Sequence, residues 1–203
     1  MSKGDQTRQR IVSEAAALFN RQGFAGSSMA DLMEATGLEK GGIYRHFSSK
    51  EEVAAEAFDY AWQAVTDTRM QDLDSVLNSV DRLKRFISNF VERRSPVPGG
   101  CPLLNTAVEA DDGSPVMRER ARSALRQWQS RLGAITIGGV KKGEIRKGTS
   151  PKKLATLIVS SLEGALMIAR LERSDKALRA VQAHLNQYLE TEVRSAKSRP
   201  TRR

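Results

Sequence analysis

The chain has 203 residues, of which 39 % are hydrophobic, 28 % charged and 5 % aromatic, with one cysteine. That length buries a core without staples, and a lone cysteine excludes an internal disulfide, which fits a reducing cytoplasm. The 33 lysines and arginines exceed the 24 acids, for a net charge of +9, which suits a polyanionic partner, nucleic acid before an acidic membrane, without requiring one. The N-terminus has no long apolar run and no cleavage signature, so no signal peptide is expected. No stretch approaches the ~20 apolar residues of a membrane span. No strand-like alternation runs longer than a few residues, so the expectation is an all-α protein.

The first helix is expected from about Thr7 to Arg21, with Ile11, Ala15, Leu18 and Phe19 on one face and Gly23 as its stop. Thr7, Arg8 and Arg10 fall at its start, where arginines oppose the helix dipole, a placement open to a solvated surface or to phosphate contact. In the stretch SMADLMEATGLEKGGIYRHFSSK, Ser28 to Lys50, Met29, Leu32 and Met33 give one short helix, and Gly37 breaks the pattern as a turn requires. Ile43 and Phe47 then give a second helix its buried side. Ser28 with Asp31, and Ser49 with Glu52, have capping-box spacing. Lys40, Tyr44, Arg45 and His46 are left on the outer face, and such a corner has the shape of a helix-turn-helix DNA reader. Gly41 and Gly42 cost roughly 1 kcal/mol each in a helix, which either close approach to DNA or a frayed first turn explains. Lys50 adds charge to a helix start, where a docked phosphate or the neighbouring Glu51 and Glu52 would compensate it.

The next helices are expected at about Lys50–Asp72 and Asp74–Arg94. Ser95 to Leu104 breaks the pattern, and Pro102 then opens a helix with Cys101 at its cap, where a thiol has a lowered pKa. Cys101 is therefore read either as a redox or electrophile sensor or as a small buried hydrophobe. Asp111–Pro115 is a turn before a long helix containing Trp128 and Leu132. Lys141–Lys153 is a basic loop read as a solvated connector. Pro151 opens a helix apolar nearly all round, and a last helix is expected at about Ser174–Arg194. No paired acid and base, phosphate loop or supported nucleophile is present, so no enzyme is expected; with one Cys and no acidic cluster near His46, neither is a metal site, and no cofactor is implied.

The run TRQRIVSEAAALFNRQGFAGSSMADL, the turn ATGLEKGGIYRHF and the following SSKEEV resemble the DNA-binding domain of the TetR/AcrR family of bacterial transcriptional regulators. The resemblance implies an all-α fold of about nine helices: a three-helix helix-turn-helix domain over 1–50, a linking helix from about 50, a ligand-binding and dimerisation domain over 51–195, and a basic disordered tail over 196–203. It implies that Ser27, Ser28 and Lys50 contact phosphate, and that Lys40, Gly41, Gly42, Tyr44, Arg45 and His46 lie on or beside the recognition helix. Gly42 departs from relatives that carry a small polar residue or Ala there, which leaves readout to Lys40, Tyr44 and Arg45. Phe86, Phe90, Cys101, Asn105, Trp128 and Leu132 are the expected lining of an effector pocket, although core packing explains the apolar ones equally. The implied function is a cytoplasmic, nucleoid-associated one-component regulator. It would be a homodimer through the last two helices, binding a palindromic double-stranded operator and released by a small molecule, with no membrane partner. The alternatives are thiol sensing through Cys101 and non-specific nucleoid coating.

Overall fold

The computed structural model describes residues 2–198. Among them the chain forms nine α-helices: α1 (Lys3–Gln22), α2 (Met29–Thr36), α3 (Lys40–Tyr44), α4 (Lys50–Met70), α5 (Ser79–Glu92), α6 (Pro102–Glu109), α7 (Pro115–Lys141), α8 (Pro151–Glu172) and α9 (Lys176–Tyr188). A π-helical turn, Leu189–Val193, and a 3₁₀ turn, Ala196–Ser198, follow. The only β pairing among the described residues is one isolated antiparallel bridge between Ile145 and Arg194. The all-α expectation is met.

The chain divides into two compact units, one running through Asp67 and including Ser95–Leu125, the other comprising Thr68–Arg94 and the chain from Arg126 onward. In the first unit, α1 begins four residues earlier than its apolar pattern suggests. Ser2 accepts a hydrogen bond from Asp5 N (3.1 Å), and the Asp5 carboxylate accepts one from Ser2 N (2.9 Å), a capping box that sets the start. Arg8 and Arg10 therefore lie past the first turn, and the local acid at the helix start is Asp5. Ile11, Ala15, Ala16 and Phe19 of α1 are buried, and α2 packs on α1 through the fully buried Leu32.

In the second unit, α5 starts at Ser79 rather than near Asp74, because the Asn78 carboxamide accepts from Val80 N and Asp81 N and caps the helix there. Its inner face (Val80, Leu83, Phe86, Ile87, Phe90) is buried. Phe86 and Phe90 meet Trp128 of α7 edge-on, with ring centroids 5.6 and 6.1 Å away. Ser79 and Gly139 meet at the other end of α5, so α5 and α7 run antiparallel. A Cβ on Gly139 would lie 2.7 Å from Ser79 Cβ and 2.6 Å from Ile145 Cδ1, too close for any other residue without a shift.

Three expectations need correction here. The basic loop is not a freely solvated connector. Ile145 is buried, Glu144 accepts a hydrogen bond from Ser79 N (2.8 Å), and Arg146 N donates to Val193 O (2.9 Å). The last helix does not run to Arg194: it changes to π geometry at Leu189, which turns Arg194 inward. Helix α8, moreover, is long and apolar enough by length and composition to cross a membrane, contrary to the expectation that no stretch would be. Here it packs on α9 and α5 through Leu154, Ala155, Ile158 and Leu162, all buried. The tail expected over 196–203 begins with the 3₁₀ turn, where Ser198 Oγ donates to Glu144 O (2.9 Å). From Arg199 on it lies outside the described residues.

Arg194 is the charged centre of this unit. Its side chain is 2 % exposed and donates to Asp81, to both oxygens of Glu190 (2.8 and 3.0 Å) and to Asn78 Oδ1 (3.0 Å). Burial pushes the Glu190 carboxyl up, but the hydrogen bonds from Arg194 and Lys84 outweigh it and hold the pKa below its ordinary value. A lowered folded pKa contributes stability that is complete above the unfolded value, about 4.3, and is lost as pH falls through the folded one. Arg194→Ala is expected to cost about 2–3 kcal/mol at pH 7, below the range for a pair buried on both sides because Asp81 and Glu190 are partly exposed. It should also flatten the loss of stability in acid below about pH 4.3, as read by urea unfolding at pH 7 and pH 3.5.

Candidate nucleic-acid interface

The corner formed by α2 and α3 is built from local signals. Ser28 accepts from Asp31 N (3.1 Å), and Asp31 Oδ2 accepts from Ser28 N (2.6 Å) and Ser28 Oγ (2.8 Å), so the expected capping box is present. Backbone–hydroxyl contact with Ser28 holds the Asp31 carboxyl below its ordinary pKa. Gly37 ends α2 at φ +64°, a left-handed conformation that favours glycine, and its N–H donates to Met33 O and Glu34 O. Helix α3 is a single five-residue turn that starts at Glu39 without a side-chain cap. Ile43 and Phe47 anchor it in the core.

That anchoring leaves Lys40, Gly41, Tyr44 and Arg45 exposed, with Gly42 and His46 half-buried. Lys40 Nζ lies 5.9 Å from the Tyr44 ring centroid. Among the described residues neither Lys40 nor Arg45 joins an ion pair. A Cβ on Gly41 would meet nothing within 4 Å, and one on Gly42 would make ordinary contact with Leu38 at 3.6 Å. Neither has a positive φ. Nothing inside the chain asks for glycine at these two positions.

The other sites expected to touch phosphate have partners within the unit. Ser27 is buried, and its Oγ donates to Gly23 O (2.7 Å). Ser28 is exposed but its hydroxyl belongs to the capping box. Lys50 Nζ donates to Phe24 O (2.6 Å) and to Ser27 O, and lies 4.4 Å from the Phe24 ring centroid. Burial lowers the Lys50 pKa, with Glu109 and Asp31 pulling the other way. Arg8 forms a two-pronged pair with Glu56 and stacks on Phe47 at 4.6 Å, which fastens the end of the α3 turn to α1 and α4. The α4 cap is split: Glu52 N donates to Ser49 Oγ, whereas the Glu52 carboxylate accepts from Ser48 N and Ser48 Oγ.

Two further side chains organise the reader. Glu109, the last residue of α6, accepts from Phe24 N (2.9 Å, Oε2) and Ala25 N (2.6 Å, Oε1) in the turn between α1 and α2. Asn20 of α1 donates to Pro98 O (2.8 Å) and Gly100 O (3.2 Å), and Asn105 donates to Asn20 O (2.9 Å) and to Gly99 O (3.0 Å). Periodicity is blind to both tethers, since it reports faces and not partners. The one local trace of Glu109 is an acid at the C-terminal end of a helix, where the dipole disfavours it.

The six residues expected to line an effector pocket fall into two groups. Phe86, Phe90, Trp128 and Leu132 are buried in the second unit, where the two phenylalanines close on the indole. Cys101 and Asn105 are in the first unit. The thiol is 4 % exposed at the start of α6, and the Asn105 carboxamide is tied to α1. A cleft of about 390 Å³ in the second unit is lined by other residues, among them Met70, Leu73, Arg82, Arg131, Ile135 and Lys142.

A family model for bacterial regulatory proteins of the tetR family matches residues 11–57, and one for the tetracyclin repressor-like C-terminal domain matches residues 79–185. The crystal structure of a TetR transcriptional regulator from Chloroflexus aurantiacus is 44 % identical, with a TM-score of 0.92 over 97 % of this chain and 100 % of that one. A TetR-family transcriptional regulator from Cytophaga hutchinsonii is 36 % identical, with a TM-score of 0.87 over 94 % of this chain and 96 % of that one. The HTH-type transcriptional repressor DhaR of a Mycobacterium species is 28 % identical over 172 residues, 84 % of this chain and 86 % of that protein. With the helix-turn-helix geometry above, these matches mean that the chain belongs to the TetR family and is a DNA-binding transcriptional regulator, not an enzyme.

Proposed function

We propose that this regulator is a repressor that binds a palindromic operator as a homodimer in the cytoplasm and is released by a small molecule bound in its second unit. The observation that carries the DNA-reading part is the exposed patch of Lys40, Tyr44 and Arg45 beside two glycines that the fold does not need. A helix that tolerates Ala at both positions yet keeps Gly is shaped for close approach by something outside the chain. In this reading Lys40, Tyr44 and Arg45 reach the groove, His46 and the amides at the start of α2 face the backbone, and Ser27 and Lys50 support the turn from behind. Repression is the assigned direction because DhaR, over most of both chains, is named a repressor.

The homodimer reading rests on α8. Leu157, Met167, Ile168 and Leu171 are exposed, and Leu157, Ser161, Gly164, Ile168 and Leu171 form one stripe at helical spacing with a small residue at its middle. With α9 alongside, a two-fold pairing would bury this stripe and place two readers on one duplex. An effector in the second unit must favour a conformer that does not fit the operator, or binding would not change. The burial of Cys101 counts against thiol chemistry as the primary signal.

Selection of bound duplexes from a random pool at near-physiological salt should enrich one palindrome; retention without enrichment would identify a non-specific coating protein instead. Gly41→Ala and Gly42→Ala should each stabilise the free protein by up to about 1 kcal/mol. Both should weaken operator binding in fluorescence anisotropy, and unchanged affinity would remove the close-approach argument. Ile168→Glu should convert the dimer to monomer in sedimentation velocity and leave the helical circular dichroism signal in place; a variant that stays dimeric would move the interface elsewhere.

A further inference from the structure

The turn from Gly23 to Ser27 joins α1 to α2 and sets where the reader begins. The Gly23 N–H closes α1 on Phe19 O (2.8 Å), whereas the next two N–H groups, those of Phe24 and Ala25, find their partner on a side chain. After Gly23, at φ +82°, these two successive N–H groups converge on one acceptor, and such a pair forms a small concavity for an anion. The Glu109 carboxylate occupies it, one oxygen on each N–H. The approach is so close that a Cβ on Gly23 would lie 2.9 Å from Glu109 Oε1. The Lys50 ammonium takes the carbonyls of Phe24 and Ser27. The turn is held by an anion from α6 on its amides and a cation from α4 on its carbonyls.

We propose that Glu109 is a positioning residue for DNA reading, which fixes the start of α2 by gripping the Phe24 and Ala25 amides. Only Gly26 and Ser27 separate Ala25 from Ser28, the cap of α2, and Ser27 Oγ donates to Gly23 O across the turn. The middle of α6 is tied to α1 through Asn105 and Asn20. A shift of α6 along its axis must therefore drag the turn or break two hydrogen bonds to a charged acceptor, each stronger than a neutral pair. The inference rests on the reading that the start of α2 and the outer face of α3 meet DNA.

The discriminating feature is sign. Glu109→Gln removes a negative charge from a protein that binds a polyanion, so electrostatics alone would tighten binding to every duplex. Positioning predicts the opposite for operator only. The glutamine can accept from one of the two amides but presents its own NH₂ to the other. Wild type, Glu109→Gln and the shorter Glu109→Asp should be titrated against the selected operator and a scrambled duplex. The temperature should be one at which circular dichroism shows all three fully folded. The expected result is an operator affinity lower by about tenfold in Glu109→Gln, with scrambled-duplex affinity unchanged or slightly raised. Faster amide hydrogen exchange at Phe24 and Ala25 should accompany it without any DNA present. Equal or tighter operator binding by Glu109→Gln would overturn the inference while leaving the functional reading intact. A parallel loss on both duplexes would make Glu109 merely structural and also overturn it. A wild-type protein without operator preference would overturn the functional reading, and the inference with it.

Discussion

Helices of eight and five residues do not persist alone in water, where even about 12–15 residues are marginal. Helices α2 and α3 are that short, so the reader exists only because its apolar anchors and its end groups are held by the rest of the unit. Leu32, Ile43 and Phe47 go into a core that includes Ile11, Ala15 and Phe19 of α1. Each such burial contributes roughly 1.5–3 kcal/mol. The backbone groups left over at helix ends are then satisfied one by one: the α2 amides by Ser28, the α2 carbonyls through Gly37, the preceding turn by Glu109 and Lys50. A binding surface with so little internal stability takes its geometry from whatever grips its ends.

The same logic divides the basic residues into two populations. A net charge of +9 makes every lysine and arginine look like a candidate for phosphate. Arg8, Lys50 and Arg194 instead turn to partners within the chain, Glu56, two carbonyls, and Asp81 with Glu190. Of these only the Arg194 side chain is itself fully buried, so its loss is the one that would leave an inner site without its charge. Lys40 and Arg45 have no such partner among the described residues, and they flank an exposed tyrosine and two glycines. Charge content therefore pointed to the class of partner but not to which cations meet it.

In the second unit, Trp128 with Phe86 and Phe90 forms an interior of interlocked rings, and Gly139 lets α7 approach Ser79 and Ile145 at the other end of α5. Aromatic residues at helical spacing read the same whether they wall a cavity or fill one. For that reason the expected pocket lining mixed core residues of this unit with Cys101 and Asn105, which the fold places in the other. The cleft beside Arg82 and Arg131 has no periodic signature, since its walls come from three separate stretches of chain.

What the sequence determined by itself is local and periodic. Pro102, Pro115 and Pro151 open their helices, Ser28 with Asp31 caps α2, Gly37 ends it, and Leu32, Ile43 and Phe47 turn inward, all through contacts within about one helical turn. The resemblance carried by the first sixty or so residues then supplied the family. The caps of Ser2 with Asp5 and of Asn78 are equally local but weaker in pattern than the apolar stripes beside them, so the stripes misplace two helix starts. Tertiary structure decided the rest, and the Glu144 and Arg194 networks turned an apparent connector and an apparent helix end into anchored segments. Lys50, Arg8 and Glu109 found partners between 23 and 85 residues away. The physical reason is that periodicity records which side of a helix avoids water, whereas the partner of a charge is set by which backbone groups the folded chain leaves unsatisfied nearby.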